Sequence, residues 1–141
     1  MTIKGILQNK SQDIISIDSS ALVSDAVALL ADKRIGALPV FEKGRVVGVF
    51  SERDVIYCLA SDGPASMGKT VAEVMTAPAV TVEKSMPVLS ALSLMTRRRI
   101  RHLPVEEEGN LIGFVSIGDL VKYRIERIEA EASALRDYIS G

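Results

Sequence analysis

Two segments of the sequence share the pattern Gly-x-x-Ser-x-x-Asp, whose residue types could bind a sugar. The first reads GVFSERD over 48–54, and the second reads GFVSIGD over 113–119. The glycine lets a ligand or a neighbouring backbone approach closely, and a serine at a helix start stands beside the free amides of the first turn. A carboxylate three residues later can accept two charge-assisted hydrogen bonds from a vicinal diol, such as the 2′ and 3′ hydroxyls of ribose. The pattern is therefore suited to a ribose.

The same Ser-x-x-Asp spacing also forms a capping box, which satisfies free amides at a helix start and needs no ligand. The chain holds such a capping pattern, without the glycine, at Thr70 to Glu73. The motif alone leaves both interpretations open. Both segments nevertheless hold Asp where Glu would cap equally well, which favours the ribose site.

Both segments belong to an internal duplication of the chain. A shift of 65 residues aligns positions 16–57 with positions 81–122 without a gap, and 14 of these 42 positions are identical. Most apolar positions exchange one apolar residue for another, whereas the identical residues include those that set backbone geometry or polar contacts. These are Pro39 and Pro104, Gly44 and Gly109, Gly48 and Gly113, Ser51 and Ser116, and Asp54 and Asp119.

Each copy predicts the element order strand, helix, strand, strand, helix. Apolar residues at helical spacing indicate one buried helix face, and Gly44 and the Gly109-Asn110 pair supply the turn between two strands. Ser51 and Ser116 are the expected N-caps of the closing helices. The predicted fold class is therefore α+β, with two repeats packed as a pseudo-twofold pair around two equivalent clefts, and a long C-terminal helix. The predicted strands cover 14–17, 37–41 and 46–50, then 79–82, 103–105 and 111–115.

The two repeats are expected to depend on each other, because a unit of this size is marginally stable alone. The segment 61–69, rich in Gly, Ser and Ala, is the expected connector between them. We therefore divide the chain into residues 1–70, the first repeat with the N-terminal segment and the connector, and residues 71–141, the second repeat with the C-terminal helix.

The composition excludes several classes of function. The formal net charge of −1 argues against nucleic acid as a partner. One Cys and one His cannot complete a tetrahedral metal site, and no apolar run approaches the roughly 20 residues that span a bilayer. Cys58 cannot form an internal disulfide and no signal peptide is recognisable, so we expect a soluble protein in the cytoplasm. Without a catalytic triad or a Gly-rich phosphate loop, we expect no enzyme activity.

The two motifs, the strands ALPV (37–40) and HLPV (102–105), and the 65-residue register together resemble a tandem pair of CBS repeats, or Bateman module, of the small stand-alone bacterial type. The resemblance leaves only the N-terminal tail and the last helix outside. It implies a regulatory module that senses energy or redox state by binding an adenosine-containing nucleotide, AMP first, with ADP, ATP or NAD(H) as alternatives. S-adenosylmethionine is a further ligand of the family. The alternative function is a structural dimerisation module with vestigial clefts.

The resemblance also implies a crossed arrangement, in which the aspartate of one repeat holds the ribose and strands of the other repeat enclose the base. The first cleft then combines Ser51, Arg53 and Asp54 with Val80, Arg101, His102 and Pro104. The second cleft combines Ser116 and Asp119 with Ile15, Ala37 and Pro39.

Charge distinguishes the two implied clefts. Arg53, Arg101 and His102 would grip a phosphate in the first cleft, since guanidinium groups suit phosphate geometry. We therefore expect the Asp54 cleft to bind a phosphorylated nucleotide more tightly than the other. Arg53 could instead pair with a neighbouring carboxylate, and His102 could be an interface or core histidine. The counterparts of the three basic residues in the second cleft are uncharged, namely Gly118, Gly36 and Ala37.

The C-terminal part of the chain carries a coiled-coil pattern. Apolar residues recur at alternating spacings of 4 and 3 for about two and a half heptads, with charged residues between them. We expect two copies to form a homodimer through this seam and through faces of the CBS repeats; the alternative is a helix that packs back across its own module. The seam residues are Val121, Ile125, Ile128, Ala132, Leu135 and Ile139.

Overall fold

The computed structural model describes residues 1–10 and 13–140, which form an α+β fold and confirm the predicted class. The helices are α1 (Ile3–Asn9), α2 (Val23–Lys33), α3 (Glu52–Asp62), α4 (Val71–Val74), α5 (Val88–Arg98) and α6 (Ile117–Ser140). The strands are β1 (Ile17–Asp18), β2 (Ala37–Glu42), β3 (Arg45–Ser51), β4 (His102–Glu107) and β5 (Asn110–Ser116). A 3₁₀ helix covers Gly63–Gly68 in the predicted connector.

Both β-hairpins turn through residues with a left-handed backbone. Lys43 and Gly44 have φ of 52° and 78°, and Glu108 and Gly109 have φ of 52° and 80°. Two successive positive φ values are the geometry of a type I′ turn, which matches the twist of the flanking strands. The second turn is therefore Glu108-Gly109 and not the predicted Gly109-Asn110, because Asn110 already begins β5.

The first strand of each repeat is much shorter than predicted. β1 pairs in parallel with β2 through Ile17 and Asp18 alone, and in the second repeat the strand is reduced to a bridge between Val82 and Val105. The apolar residues just before these pairs, at 14–15 and 79–80, line cavities instead. These residues are apolar because they line a cavity, and not because they pair in a sheet.

Each repeat has its own hydrophobic core, and each core is completed by a short helix that precedes the other repeat. Ile3 and Ile6 of α1 are buried in the core of the second repeat, and Val71 of α4 is buried in the core of the first. The amide of Ile3 donates to Met86 O at 3.0 Å, and the amide of Val71 donates in the same way to Ala21 O at 2.8 Å. Burial of one Ile side chain contributes about 1.5–3 kcal/mol, so α1 is firmly held although it has only seven residues. The sequence did not predict α1.

Helix α6 extends well beyond the second repeat. Leu120 is buried in the core, and Tyr123 lies against α1 at Gly5. At about 1.5 Å per residue, the 24 residues of α6 span about 36 Å. The large apolar residues of the seam remain exposed, from 43% at Val121 to 75% at Ile139. The helix therefore does not fold its seam back onto the described residues of its own chain.

Residues 1–10 and 13–140 contain neither a membrane-spanning helix nor a cluster of metal-binding side chains. None of the helices there has the length and apolar character needed to cross a bilayer. The same residues contain no group of three or more His, Cys, Asp or Glu side chains placed to hold a metal ion.

Candidate functional site

At the first motif, Ser51 and Asp54 form a closed capping box. Asp54 Oδ2 accepts hydrogen bonds from the Ser51 amide at 2.9 Å and from the Ser51 hydroxyl at 3.2 Å. Oδ1 accepts a hydrogen bond from the Thr76 hydroxyl at 2.9 Å, and Asp54 is only 7% exposed. Both carboxylate oxygens are thus engaged by the protein itself. The capping interpretation that the sequence left open describes Asp54 in this structure.

The second motif has the same local geometry with a more accessible carboxylate. The Ser116 amide donates to Asp119 Oδ2 at 2.8 Å, and the Asp119 amide donates to the Ser116 hydroxyl at 3.1 Å. Lys10 Nζ also donates to Oδ2, at 2.6 Å, and 28% of the Asp119 side chain remains exposed. Burial raises the pKa of Asp119, but the hydrogen bonds from Lys10 and Ser116 and the charge of Lys10 outweigh it and hold the pKa below its usual value. The carboxylate is therefore ionised at neutral pH and reachable by a ligand.

The glycines of both motifs permit the close packing of neighbouring chain. A Cβ at Gly48 would lie 2.7 Å from Thr76 O, and a Cβ at Gly113 would overlap the side chain of Leu7. Leu7 belongs to α1, and Thr76 follows α4. The missing Cβ at each glycine thus allows the two short helices to dock across the repeats.

A cavity of 620 Å³ lies between the repeats next to the Asp119 motif. Its volume falls in the range of about 300–1,000 Å³ that is usual for small-molecule sites. Of the predicted residues, Ile15, Ala37 and Ser116 line it, and Lys10 lines it as well. The remaining wall is largely apolar and draws on both repeats and α1, with Leu7, Ile14, Ile35, Leu111, Ile112 and Phe114.

The cavity at the Asp54 motif is much smaller, at 80 Å³. Four predicted residues meet there, Ser51, Val80, Arg101 and His102. The volume is well below the lower limit of about 300 Å³ for small-molecule sites. In this conformation the Asp54 cleft does not have room for a nucleotide. The cavity volumes therefore do not favour the expectation, drawn from charge, that this cleft binds a phosphorylated nucleotide more tightly than the Asp119 cleft.

Five predicted residues are not among those that line either cavity, namely the two aspartates Asp54 and Asp119, described above, and Arg53, Pro39 and Pro104. Arg53 Nη1 donates to Arg99 O at 2.7 Å, so the guanidinium binds the C-terminal end of α5 rather than facing the small cavity. Pro39 pairs with Val49 inside the first hairpin. Pro104 is buried in β4, where its carbonyl accepts the Val82 amide at 3.0 Å. The predicted phosphate grip is therefore only partly assembled.

His102 lies between the two cavities and lines both. Its ring stacks on Phe114, with centroids 5.4 Å apart and an interplanar angle of 15°. Burial lowers the pKa of His102; Asp119 opposes this shift, whereas Lys10 and Arg101 reinforce it. A pKa below 6.5 leaves the imidazole neutral at pH 7, so it is not a cation for a phosphate under that condition.

Lys10 is the main candidate residue that the sequence analysis missed. The counterparts of the three basic residues are uncharged in the second cleft, but Lys10 brings a positive charge there from outside the duplicated segment, directly after α1. A signal was available in the sequence, since the apolar spacing of α1 recurs 68 residues later in α4. The matching residues are Ile3 and Val71, Ile6 and Val74, and Leu7 and Met75.

Comparisons with known proteins agree with this architecture. Residues 5–61 and 71–126 match the family model of the CBS domain. The chain is 34% identical to the mitochondrial CBS domain-containing protein CBSX3 of Arabidopsis thaliana, over 99% of this chain and 72% of that protein. The structure of a CBS-domain protein of Agrobacterium tumefaciens gives a TM-score of 0.85 at 35% identity, over 88% of this chain and 99% of that one.

A further solved structure is the CBS domain pair of protein MJ0100 in complex with 5′-methylthioadenosine and S-adenosyl-L-methionine. It gives a TM-score of 0.78 at 25% identity, over 90% of this chain and 98% of that one. The two family matches together cover most of the 141 residues, one on each copy of the duplication. The chain therefore belongs to the CBS domain family, as a tandem pair of CBS repeats.

Proposed function

We propose that this CBS pair is a regulatory module that binds an adenosine-containing nucleotide in the cleft beside Asp119. The observation that carries the proposal is the 620 Å³ cavity between the repeats, next to an ionised and partly exposed carboxylate. The complex of the MJ0100 pair with two adenosine compounds supports this ligand class. AMP is the first candidate, and ADP, ATP and NAD(H) contain the same adenosine.

Contacts to such a ligand would be divided between the two repeats. Asp119 would accept hydrogen bonds from the ribose hydroxyls, and the apolar wall at Ile15, Ile35 and Ala37 would enclose the adenine. A ligand shifts a conformational equilibrium only through different affinities for the two states. A nucleotide that touches both repeats meets this condition, because separation of the repeats would break its contacts to one of them. We propose signalling through this change, and no catalytic role.

We further propose that the Asp54 cleft binds a nucleotide only after the repeats move apart. Its cavity holds 80 Å³, and Asp54 already accepts hydrogen bonds on both carboxylate oxygens. This order of binding reverses the one expected from the charges of Arg53, Arg101 and His102.

A homodimer through α6 is proposed as well. The seam of α6 is exposed, and α3 also exposes two large apolar residues, at 64% for Ile56 and 63% for Tyr57. Large exposed apolar surface is typical of protein–protein contacts. The alternative, a dimerisation module with vestigial clefts, draws support from the closed capping box at Asp54. The cytoplasmic location stays a prediction.

Calorimetric titration of AMP into nucleotide-stripped protein tests the proposal. We expect saturable binding at one site per chain, and competition by ADP, ATP and NADH then ranks the ligands. If folded protein gives no heat with any of these nucleotides, the nucleotide proposal is refuted and the dimerisation module is the better account.

A further inference from the structure

Lys10 occupies the carboxylate that the proposed nucleotide needs. Its ammonium donates to Asp119 Oδ2 at 2.6 Å and to the carbonyl of Phe114 at 2.7 Å. The residue directly follows α1, whose Ile3 and Ile6 are anchored in the second core. The backbone at Lys10 is thus tied to the second repeat, while the long side chain is 38% exposed.

The charges around the large cavity make Lys10 decisive for an anionic ligand. Among the described residues that line the cavity, Lys10 is the single Lys or Arg, and Asp13 contributes a carboxylate. Asp119 adds a second negative charge beside it, and His102 is neutral at pH 7 because its pKa is lowered. Without Lys10, no Lys or Arg among the described lining residues would offset the charge of Asp119 or attract a phosphate.

Binding of a diol to Asp119 would change which hydrogen-bond partners are available to the Lys10 ammonium. Ribose hydroxyls on Asp119 compete with the ammonium for the same carboxylate, so the ammonium has to share or leave Oδ2. A partly desolvated cation that loses its partner is unfavourable unless another anion replaces it. A 5′-phosphate on the bound nucleoside supplies that anion, whereas an uncharged nucleoside does not.

We propose that Lys10 is the residue that makes the Asp119 cleft selective for a phosphorylated nucleoside over an uncharged one. In the free protein it pairs with Asp119, and in the complex it transfers to the phosphate as the ribose takes the carboxylate. This inference rests on the proposed function. It adds that the cleft distinguishes its ligands by their charge.

The test compares AMP with adenosine by calorimetry in wild-type protein and in Lys10→Gln. AMP should bind about 10- to 150-fold more weakly to the variant, the loss expected for one charge-assisted hydrogen bond. Adenosine should bind equally well or better, since its competitor for Asp119 is gone. Lys10→Arg should recover part of the AMP affinity, and Lys4→Gln is the matched control, because it removes the same charge from the exposed face of α1.

The outcomes separate this inference from the proposed function. If Lys10→Gln weakens AMP and adenosine equally, or weakens neither, selectivity by Lys10 is refuted while the nucleotide site stands. If wild-type protein binds neither compound, both proposals are refuted. A ratio of AMP to adenosine affinity that collapses only in Lys10→Gln supports both.

Discussion

Replacement of Asp119 by Asn should weaken AMP binding strongly and leave the fold intact. The substitution keeps the shape of the side chain and removes the charge that would accept the ribose hydroxyls. Hydrogen bonds to charged groups contribute about 1.5–3 kcal/mol, so the Kd for AMP should rise about 10- to 150-fold. The pair with Lys10 is partly exposed on both sides, at 38% and 28%, and the loss of such a pair costs less than about 1 kcal/mol.

Asp54→Asn is the matched control for this prediction, because it makes the same chemical change in the other copy of the motif. Asp54 is buried and bonded to Ser51 and Thr76, so its replacement should lower the free energy of unfolding by about 1 kcal/mol, as for a lost helix cap. AMP affinity should stay nearly unchanged. Calorimetry and urea unfolding on both variants measure the two effects. If Asp54→Asn abolishes AMP binding and Asp119→Asn does not, the assignment of the cleft is refuted.

Three further predictions follow from the packing and the charges. Gly48→Ala should lower the free energy of unfolding in urea by about 1–3 kcal/mol, because the new Cβ meets the backbone carbonyl of Thr76. Gly113→Ala should lower it by less, because its Cβ meets the flexible Leu7 side chain. Equal losses in the two variants would contradict this prediction. Because the pKa of His102 is lowered in the folded protein, the unfolded chain binds a proton at this residue more readily. The contribution of neutral His102 to stability is therefore present above pH 6.5 and is lost as the pH falls through the pKa of the folded state. Thermal unfolding of His102→Gln should therefore depend less on pH between 5 and 7 than that of wild type, and an unchanged dependence would count against the shift. Ile125→Glu should give a monomer in light scattering while Arg127→Glu remains a dimer, and a monomeric wild-type protein would refute the α6 interface.

The duplication and the hairpins could be predicted because they follow from local rules. Gly44 and Gly109 mark two tight turns, and Ser51 begins α3 as its N-cap. The start of the second hairpin turn was placed one residue late, since Glu108 adopts a positive φ that favours glycine or asparagine. The paired strands β4 and β5 fix the turn and hold Glu108 in this conformation. The residues around the turn carry no signal that would have indicated this.

The exchange of α1 and α4 between the repeats could not be predicted from either segment alone. Thr2 makes no side-chain cap hydrogen bond to α1, and the helix is only seven residues long, so it is stabilised by the partner core rather than by its own sequence. Lys10 was missed for the same reason. The volumes of the two clefts also depend on how the repeats pack, which no residue pattern encodes.

The most direct test of the central claim is to record amide ¹H–¹⁵N spectra of the nucleotide-stripped protein during titration with AMP. Binding in the Asp119 cleft should give shifts that saturate together at Gly36, Ala37 and Ser116, on both sides of the large cavity. Shifts confined to Ser51 and Val80 would place the ligand in the Asp54 cleft and contradict the account. An unchanged spectrum of folded protein at saturating AMP would contradict it as well.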